Sequence, residues 1–467
     1  MHTVPAVQAT WRHLGVLLLG VACAVPSQQP DDTTWRYTLA WSAQHDVLHG
    51  ELTLPAGDAI TLAALPVVQP FVTTSLAVNA TGHVVPAAPH ERTLQWQCRL
   101  TDAACRVDLV DVLAKRGDGF VGSIVALLLR PANAAAADAA FTLRVRPPGG
   151  EAFACACRHD DAEATWRGRL SDLQQLPSCA FGAIALRTLQ PGGAAGPRVT
   201  LVELAPRPTD YAHDLDAFVT ECTNATAAWF GAFPVDRLLL VVLAGRNPTI
   251  AGGSARGDGG ARILIDVPPR FRRTQFALDW VLIHEMVHLA LPTLPRAQHW
   301  LEEGSATYLE PLIQAQAGRV QPEVVWAAML AEYAQGLPAA GSGGLDDDAS
   351  WGRTYYGGAL FCLLADVRIR QRTQNRHSLQ DVLRAVLAND GDITVDWPIE
   401  RVLSLGDAAT GTTVLSELQA AMAKAEFPSE LDTLWRDLGV RLDGERAVLD
   451  DAAPLAAIRR ALIPQPR

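Results

Sequence analysis

An alternation of apolar and polar residues predicts β-strands in the first half of the chain. In the runs from Leu48 to Leu54, Leu94 to Leu100 and Phe141 to Val145, every second residue is apolar or glycine. A period of two residues is typical of a strand that buries one face. Turn sequences such as Pro55-Ala-Gly57 separate the runs, so we expect residues 31–205 to form an antiparallel, sandwich-like β domain.

Helical patterns dominate the second half, from residue 206 to residue 467. The segment from Tyr211 to Phe230 is predicted to be a helix, and the continuous apolar run from Leu238 to Leu243 is predicted to be a buried strand. Helices predominate after residue 275. The expected fold class is therefore α+β, with an N-terminal antiparallel β domain followed by a mainly helical domain.

The composition is that of an ordinary globular protein. Of the 467 residues, 49% are hydrophobic and 19% are charged, which excludes a wholly disordered chain. The net charge of −11 argues against a nucleic-acid partner or a polybasic membrane patch. A chain of this length buries a large core without metal staples, so any metal site in it is expected to be catalytic.

Residues 1–24 resemble a secretory signal peptide. Arg12 and His13 precede an apolar run, and Ala22-Cys23-Ala24 has the small residues of a cleavage site. We therefore expect the mature protein to be exported to the periplasm or the exterior. The alternative is lipidation of Cys23, which would attach the protein to a membrane, although Gly20 stands where lipoprotein signals usually carry leucine.

The remaining cysteines suggest one disulfide and argue against a structural metal site. Export permits disulfides, and Cys98 and Cys105 are close enough in sequence to staple a predicted hairpin. Cys155 and Cys157 have the spacing of half a metal site, but no second pair with zinc spacing follows. Seven cysteines remain after Cys23, so at least one thiol is expected to stay free.

The sequence from His284 to His288, His-Glu-Met-Val-His, is an H-E-x-x-H motif. Histidines four residues apart lie on one side of a helix, where both imidazoles reach one zinc ion. Glu285 then faces the open side of the metal and is predicted to take a proton from a metal-activated water. Apolar residues recur at helical spacing around the motif and predict a helix buried on nearly every side: Phe276, Trp280, Ile283, Val287 and Leu291.

A second helix is predicted just downstream, after Pro292 and Pro295, which end the first one. Its first turn carries two adjacent glutamates, Glu302 and Glu303, followed by Gly304. Catalytic zinc sites often combine two histidines with one glutamate and leave a position open. This segment is therefore expected to supply the third ligand.

Together these segments resemble the gluzincin metallopeptidases, the group that includes thermolysin, aminopeptidase N and the glycyl aminopeptidases. The aminopeptidases carry a segment like W-L-N-E-G-x-A-x-Y, and the sequence from Trp300 to Tyr308 is similar to it. The resemblance implies a thermolysin-like helical domain with Glu303 as the third zinc ligand, while Glu302 replaces the asparagine and is the fallback ligand. Fourteen residues separate His288 from Glu303, fewer than in relatives of aminopeptidase N.

The sequence Tyr355-Tyr356-Gly357-Gly358-Ala359 resembles the Y-x-K-G-A motif of the same group. In that motif, the tyrosine hydroxyl stabilises the oxyanion of the tetrahedral intermediate. The resemblance implies this role for Tyr355, although Gly357 replaces the lysine. Tyr356 would serve instead if the register is shifted by one residue, and it is a further candidate for substrate binding.

One feature of the aminopeptidases is missing from the sequence. Their G-x-M-E-N strand carries a glutamate that holds the free amine of the substrate, whereas the segment from Gly252 to Gly260 contains no glutamate. Arg256 and Asp258 are the candidates for substrate binding in this segment. The resemblance therefore does not extend to aminopeptidase specificity, and cleavage inside or at the end of a peptide stays open.

The expected function is zinc-dependent hydrolysis of peptide bonds in a peptide or protein substrate, with one Zn2+ per chain and Glu285 as general base. The alternative is a non-catalytic binding protein of the cell envelope on a peptidase scaffold. Glu285 favours the enzyme, because it is not a metal ligand and a scaffold that only binds has no use for it. A nucleophilic hydrolase is disfavoured, since no G-x-S-x-G sequence occurs.

Overall fold

The computed structural model of the chain describes residues 33–463, apart from positions 56–59, 76, 80–81, 83, 86–91, 133–136, 206, 278, 340, 424–430 and 445. The predicted signal peptide and Cys23 lie outside the described residues. Among the helices that the structure describes, none is both long and apolar enough to cross a membrane.

The largest sheet of the N-terminal half has seven strands. In spatial order its strands are β13 (Arg158–Asp160), β14 (Thr165–Arg169), β11 (Ala140–Arg146), β1 (Trp35–Trp41), β2 (Val47–Thr53), β7 (Thr93–Arg99) and β4 (Val72–Thr74). Adjacent strands are antiparallel, except that β1 and β11 are parallel. Every second side chain of β7 is buried, so the alternation in the sequence predicts this strand correctly.

Two four-stranded sheets complete the N-terminal half. The first contains, in order, β10 (Arg130–Pro131), β3 (Leu62–Ala63), β6 (Val84–Val85) and β5 (Ala77–Val78). The second contains β12 (Ala152–Cys155), β15 (Ser178–Gly182), β9 (Gly119–Ser123) and β8 (Leu113–Arg116). Buried side chains from all three sheets, among them Trp35, Phe120 and Phe181, pack into one core. The predicted antiparallel β fold of this half is confirmed.

The predicted disulfide between Cys98 and Cys105 is wrong. Both thiols are free, because β7 ends at Arg99 and a helix, α1 (Leu100–Val107), begins at the next residue instead of a hairpin turn. Cys98 is buried in the core, whereas Cys105 is exposed on α1. The two side chains therefore lie in different environments although only six residues separate them in sequence.

A five-stranded sheet supports the second half of the chain. Its order is β16 (Ala185–Leu189), β17 (Arg198–Glu203), β18 (Arg237–Ala244), β20 (Arg262–Val267) and β19 (Gly253–Arg256). The three central strands are parallel, and β19 is an antiparallel edge strand. All six inner residues of β18 are buried, as the continuous apolar run predicts for a strand covered on both faces. Because β16 and β17 precede residue 205, strand pairing crosses the boundary predicted there.

The remaining elements are mainly helical, as predicted. The helices are α2 (Thr209–Phe230), α3 (Arg273–Phe276), α4 (Val281–His288), α5 (His299–Gln316), α6 (Pro322–Glu332), α7 (Gly358–Thr373), α8 (Leu379–Leu387), α9 (Ile399–Thr410), α10 (Val414–Met422), α11 (Leu431–Leu438) and α12 (Ala456–Leu462). One hairpin, β21 (Val440–Asp443) and β22 (Arg446–Leu449), lies among them. Helices α2, α4, α5 and α7 share one large core with the five-stranded sheet. The α+β fold class is confirmed.

The two halves meet where the sheet β12-β15-β9-β8 packs on the five-stranded sheet. Small and branched apolar side chains from both sheets form this contact, including Val121, Ala180, Val202, Leu239 and Val241. The edge strand β19 therefore lies close to the N-terminal half.

Candidate metal centre and active-site cleft

The H-E-x-x-H motif forms most of α4, which packs between β19 and α5. Every residue from Val281 to Val287 is buried, as predicted. A carboxylate oxygen of Asp279 accepts a hydrogen bond from the N–H of Val281 at 3.0 Å and satisfies a free donor at the helix start. Trp280 was expected to be buried with the helix, but it precedes the first turn and is 52% exposed.

Glu303 on α5 meets both histidines of α4. The ligand atoms of His284, His288 and Glu303 all lie within 4.8 Å of one another, and no other described group of this kind satisfies the same distance. Glu303 Oε2 is 3.3 Å from His284 Nε2 and 3.5 Å from His288 Nε2. The connection between α4 and α5 is short, but it allows Glu303 to reach the two histidines of the motif. Two imidazole nitrogens and one carboxylate oxygen fit a zinc ion with an open position.

Burial and mutual contacts shift the pKa values of this cluster. Burial lowers the pKa of His284. Burial also acts to lower the pKa of His288, but the hydrogen bond to Glu303 and the charges of the neighbouring glutamates together outweigh it and raise the pKa. Burial acts to raise the pKa of Glu303, but hydrogen bonds from three histidines, including His299, hold it well below its usual range. Glu303 is therefore ionised, which is the form that binds a metal.

His299 is a further neighbour of the cluster, although it belongs to no recognised motif of the sequence. Its Nδ1 is 2.6 Å from Glu302 Oε2, and its Nε2 is 3.2 Å from Glu303 Oε1. Glu302 Oε1 also accepts a hydrogen bond from the N–H of Leu294 at 2.9 Å. Both oxygens of Glu302 thus have protein partners, while Glu303 faces the histidines of α4. The available signal was the spacing, because residues three and four apart are neighbours on a helix.

We expect His299→Ala to weaken zinc binding by about 10–100-fold, because an outer partner that orients a ligand typically contributes this much. Competition with a chelator of known affinity measures the loss. Activity should return at saturating zinc, which distinguishes lost positioning from misfolding. Arg296→Ala, which changes another residue lining the same cleft, is the control. Unchanged zinc affinity in His299→Ala would mean that this histidine does not hold Glu303 in place.

Glu285 lies in the cleft directly below β19. A Cβ on Gly253 would come within 2.6 Å of Glu285 Cγ, so only glycine permits this close approach of the strand. The backbone N–H of Ala255 donates a hydrogen bond to the Glu285 carboxylate. Burial raises the pKa of Glu285 to about 7. A carboxyl group with a pKa near neutrality is well suited to proton exchange.

The two adjacent tyrosines have different surroundings. Tyr355 lines the cleft, its ring is stacked on that of His284 at a centroid distance of 6.3 Å, and its hydroxyl hydrogen-bonds to Glu303. Burial and the charge of Glu303 raise the pKa of Tyr355 to about 12, so its hydroxyl keeps its proton. The hydroxyl of Tyr356 instead donates to Glu332 at 3.1 Å. Of the two tyrosines, Tyr355 is therefore the one that lies beside the metal cluster.

A cleft of about 620 Å³ opens over the cluster. Both other candidates for substrate binding, Arg256 and Asp258, line it, and β19 forms part of its wall. Arg256 Nη2 donates to Asp111 Oδ2 at 3.0 Å, so a residue of the N-terminal half borders the cleft. Burial raises the pKa of Asp258. No residue of β19 itself carries a carboxylate.

Two exposed tryptophans adjoin the cleft. Trp280 is 52% exposed and Trp351 is 59% exposed, although tryptophan side chains in globular proteins are mostly buried. The ring centroid of Trp280 lies 5.5 Å from that of His284, and the centroid of Trp351 lies 5.5 Å from that of Tyr355. Because His284 and Tyr355 also stack, the four rings form a continuous row. We call these four residues the aromatic rim.

The sequence matches no protein-family model and no curated protein. Its fold, however, is similar to solved structures. An aminopeptidase N family protein from Idiomarina loihiensis is 13% identical with a TM-score of 0.64, and the match covers 87% of this chain and 78% of that chain.

Two further similar structures are M1 zinc metallopeptidases. A glutamate-to-alanine mutant from Deinococcus radiodurans bound to Tyr-Ser-Ala is 16% identical with a TM-score of 0.50. The match covers 85% of this chain and 94% of the chain of that mutant. A two-domain mutant enzyme bound to L-tryptophan is 17% identical with a TM-score of 0.52, covering 85% and 95%. At these identities the similarity establishes the fold, and the chain has the two-part architecture of the M1 zinc metallopeptidases.

Proposed function

We propose that the protein is a zinc-dependent peptidase. One observation carries the proposal: a zinc-type donor set, a carboxylate outside that set and a tyrosine hydroxyl lie together in one cleft. Similar structures that hold a tripeptide substrate or an amino acid support a peptide as the substrate. The proposal is tested by cleavage of a broad peptide library, with a Glu285→Gln variant as the control.

The residues of the cleft have complementary roles in this reaction. His284, His288 and Glu303 would hold one zinc ion, which polarises a carbonyl group and lowers the pKa of a coordinated water to about 7. Glu285 accepts the proton of the attacking water and delivers it to the leaving amine. Tyr355 donates a hydrogen bond to the carbonyl oxygen as negative charge develops there.

The edge strand β19 supports binding of an extended peptide. It pairs with β20 on one side and is the last strand of its sheet, at the wall of the cleft. An extended peptide adds to such an edge through main-chain hydrogen bonds. Because β19 offers no carboxylate for a free amine, we propose that the substrates include peptides with a blocked N-terminus.

The zinc ligands are tested by metal analysis of purified variants. We expect one zinc per chain in the wild type and loss of the metal in His288→Ala and Glu303→Gln, because each removes one of three protein ligands. Glu302→Gln is the matched control and should keep its zinc, since its carboxylate bonds to His299 and Leu294 instead. A full equivalent of zinc in His288→Ala would contradict the assignment.

The aromatic rim supports selection of a large apolar side chain next to the scissile bond. An aromatic pair contributes about 0.5–1.5 kcal/mol, which corresponds to roughly 2–13-fold in kcat/KM. We expect Trp280→Ala and Trp351→Ala to reduce the preference for a phenylalanine peptide over its serine analogue by this factor. Leu442→Ala, which changes an exposed apolar residue on β21, is the control. An unchanged preference in both tryptophan variants would exclude the rim from substrate selection.

The binding-protein alternative makes a different prediction for the library experiment. A wild-type protein that holds zinc but cleaves no member of a broad library would support it. Cleavage that persists unchanged in Glu285→Gln would instead mean that Glu285 is not the general base. We also propose that the protein acts after export, on the basis of its N-terminal sequence, and N-terminal sequencing of the mature protein tests this.

A further inference from the structure

Three of the described cysteines meet in the N-terminal half, far along the chain from the H-E-x-x-H motif. Cys155 ends β12, Cys157 follows two residues later, and Cys179 lies in β15. All three are buried in the same core, where the N–H of Cys157 donates to Cys155 Sγ at 3.4 Å. The remaining described cysteines, Cys98, Cys105, Cys222 and Cys362, lie on other elements.

The strand register places Cys155 directly opposite Cys179. The two are partners in the antiparallel β12–β15 ladder. The N–H of Ala156 donates to the carbonyl of Ser178 at 2.9 Å. The hydrogen-bonded pair is therefore the adjacent one, Ala156 and Ser178, and the two cysteines form a non-hydrogen-bonded pair. Residues in such a non-hydrogen-bonded pair have Cα atoms about 4.5 Å apart and the closer side chains. This spacing falls within the range of about 4.4–6.8 Å found for disulfides.

A crevice gives a small reagent access to Cys155, the first of the two thiols. It has a volume of about 200 Å³ and is lined by Cys155 and Cys157, together with His159 and Trp166. The group of three thiols does not have the geometry of a metal site, because the cluster of His284, His288 and Glu303 is the one described group that does. Thiol chemistry is therefore the better explanation for this cluster than metal binding.

We propose that Cys155 and Cys179 form a reversible disulfide by exchange with a low-molecular-weight disulfide. Cys155 Sγ attacks one sulfur of the reagent and releases one small thiol. Cys179 Sγ then attacks the mixed disulfide and releases the second small thiol. The protein loses two hydrogens, and the reagent disulfide is reduced to two thiols. Cys157 stays reduced beside the bond, and small external thiols reopen the disulfide by the reverse of these two exchanges.

The disulfide would lie below the wall of the cleft. A Cβ on Gly260, in the turn that joins β19 to β20, would come within 2.1 Å of the carbonyl oxygen of Ala156. Ser178, the neighbour of Cys179, accepts a hydrogen bond at 3.2 Å from Arg262, which also donates to the carbonyl of Ser254 on β19 at 3.2 Å. Joining β12 to β15 is therefore expected to restrict β19.

Mass spectrometry of the full-length protein tests the proposal. The protein is incubated with oxidised glutathione at pH 8.5, because hydrogen bonding to Cys155 and burial raise the pKa of Cys157, and burial raises that of Cys179, which slows exchange at neutral pH. Alkylation and digestion should then yield a peptide containing residues 155–157 cross-linked to one containing Cys179. We also expect the melting temperature to rise by roughly 5 °C.

Variants identify which sulfurs are joined. Cys157→Ser and the exposed control Cys105→Ser should keep the cross-link, whereas Cys155→Ser should lose it. Absence of the cross-link in the wild type, or a bond from Cys157 to Cys179, would overturn the proposal. Amide hydrogen exchange in β19 should slow on oxidation. A cross-linked protein with unchanged exchange there would overturn the connection to the cleft but not the disulfide.

Discussion

Glu285→Gln is expected to keep a full equivalent of zinc and to lose about 10²–10⁴-fold in kcat. The amide has the shape of the carboxylate and fits the same space below Gly253, but it does not accept a proton. Zinc content by metal analysis and turnover of a cleaved library peptide measure the two properties separately. The strand β19 should stay in place, because the remaining amide oxygen still accepts a hydrogen bond from the N–H of Ala255.

The control for this substitution is Glu332→Gln, which makes the same chemical change at a carboxylate that bonds to Tyr356 away from the metal cluster. It should leave turnover within about threefold of the wild type, as surface changes usually do. A Glu285→Gln enzyme that works at the rate of this control would remove Glu285 from the role of general base. Loss of zinc in Glu285→Gln would instead indicate a structural role in the metal site.

Tyr355→Phe is expected to lower kcat and kcat/KM together by about 10²–10³-fold, which corresponds to about 2.7–4 kcal/mol. Both constants fall because the hydroxyl stabilises charge that exists mainly in the transition state. Zinc content and melting temperature should change little, since phenylalanine keeps the ring that stacks on His284. Steady-state kinetics on the same library peptide provide the measurement.

Tyr356→Phe is the matched control, because it removes the same atom from the adjacent residue. Its hydroxyl bonds to Glu332, so we expect a small effect on turnover. The opposite result, with a large loss at Tyr356 and a small loss at Tyr355, would mean that the functional enzyme uses the shifted register. Equal and small losses of activity at both positions would mean that neither tyrosine stabilises the oxyanion.

The parts of the site that follow from local geometry could be predicted from the sequence. The spacing of His284 and His288 places them on one side of any helix that contains them, whatever surrounds it. Glu303 was identifiable because Gly304 follows it in a recognisable segment. In the structure Gly304 lies against α7, and a Cβ on it would come within 2.3 Å of the Gly358 Cα. The close packing of α5 on α7 therefore explains why this position is a glycine.

Features that depend on where an element begins were missed. His299 contacts Glu302 and Glu303 because α5 begins at His299, and the ends of helices are the least certain part of a sequence-based assignment. The same limitation explains Cys105, since nothing in the apolar pattern marks the start of α1 at Leu100. Trp280 fits the helical apolar pattern of the motif but precedes its first turn.

Pairing between strands that are distant in sequence could not be predicted either. Strands β16 and β17 have the same alternating pattern as the strands before them, and this pattern identifies a buried face without naming a partner. They were therefore assigned to the N-terminal half, although they pair within the five-stranded sheet. The alternating pattern predicts that both segments are strands, but it does not predict which sheet they join.

The guanidinium group of Arg262 makes the two halves of the molecule inseparable. Arg262 is 2% exposed and bonds to Asp111 and Ser178, which both belong to the N-terminal half. A fragment that begins at residue 206 would leave this cation without its carboxylate, and removal of one member of a buried ion pair is strongly destabilising. The same fragment would lose β16 and β17 from its sheet. Protein engineers should therefore exchange substrate-binding residues within the intact chain and not transplant its helical half onto another scaffold.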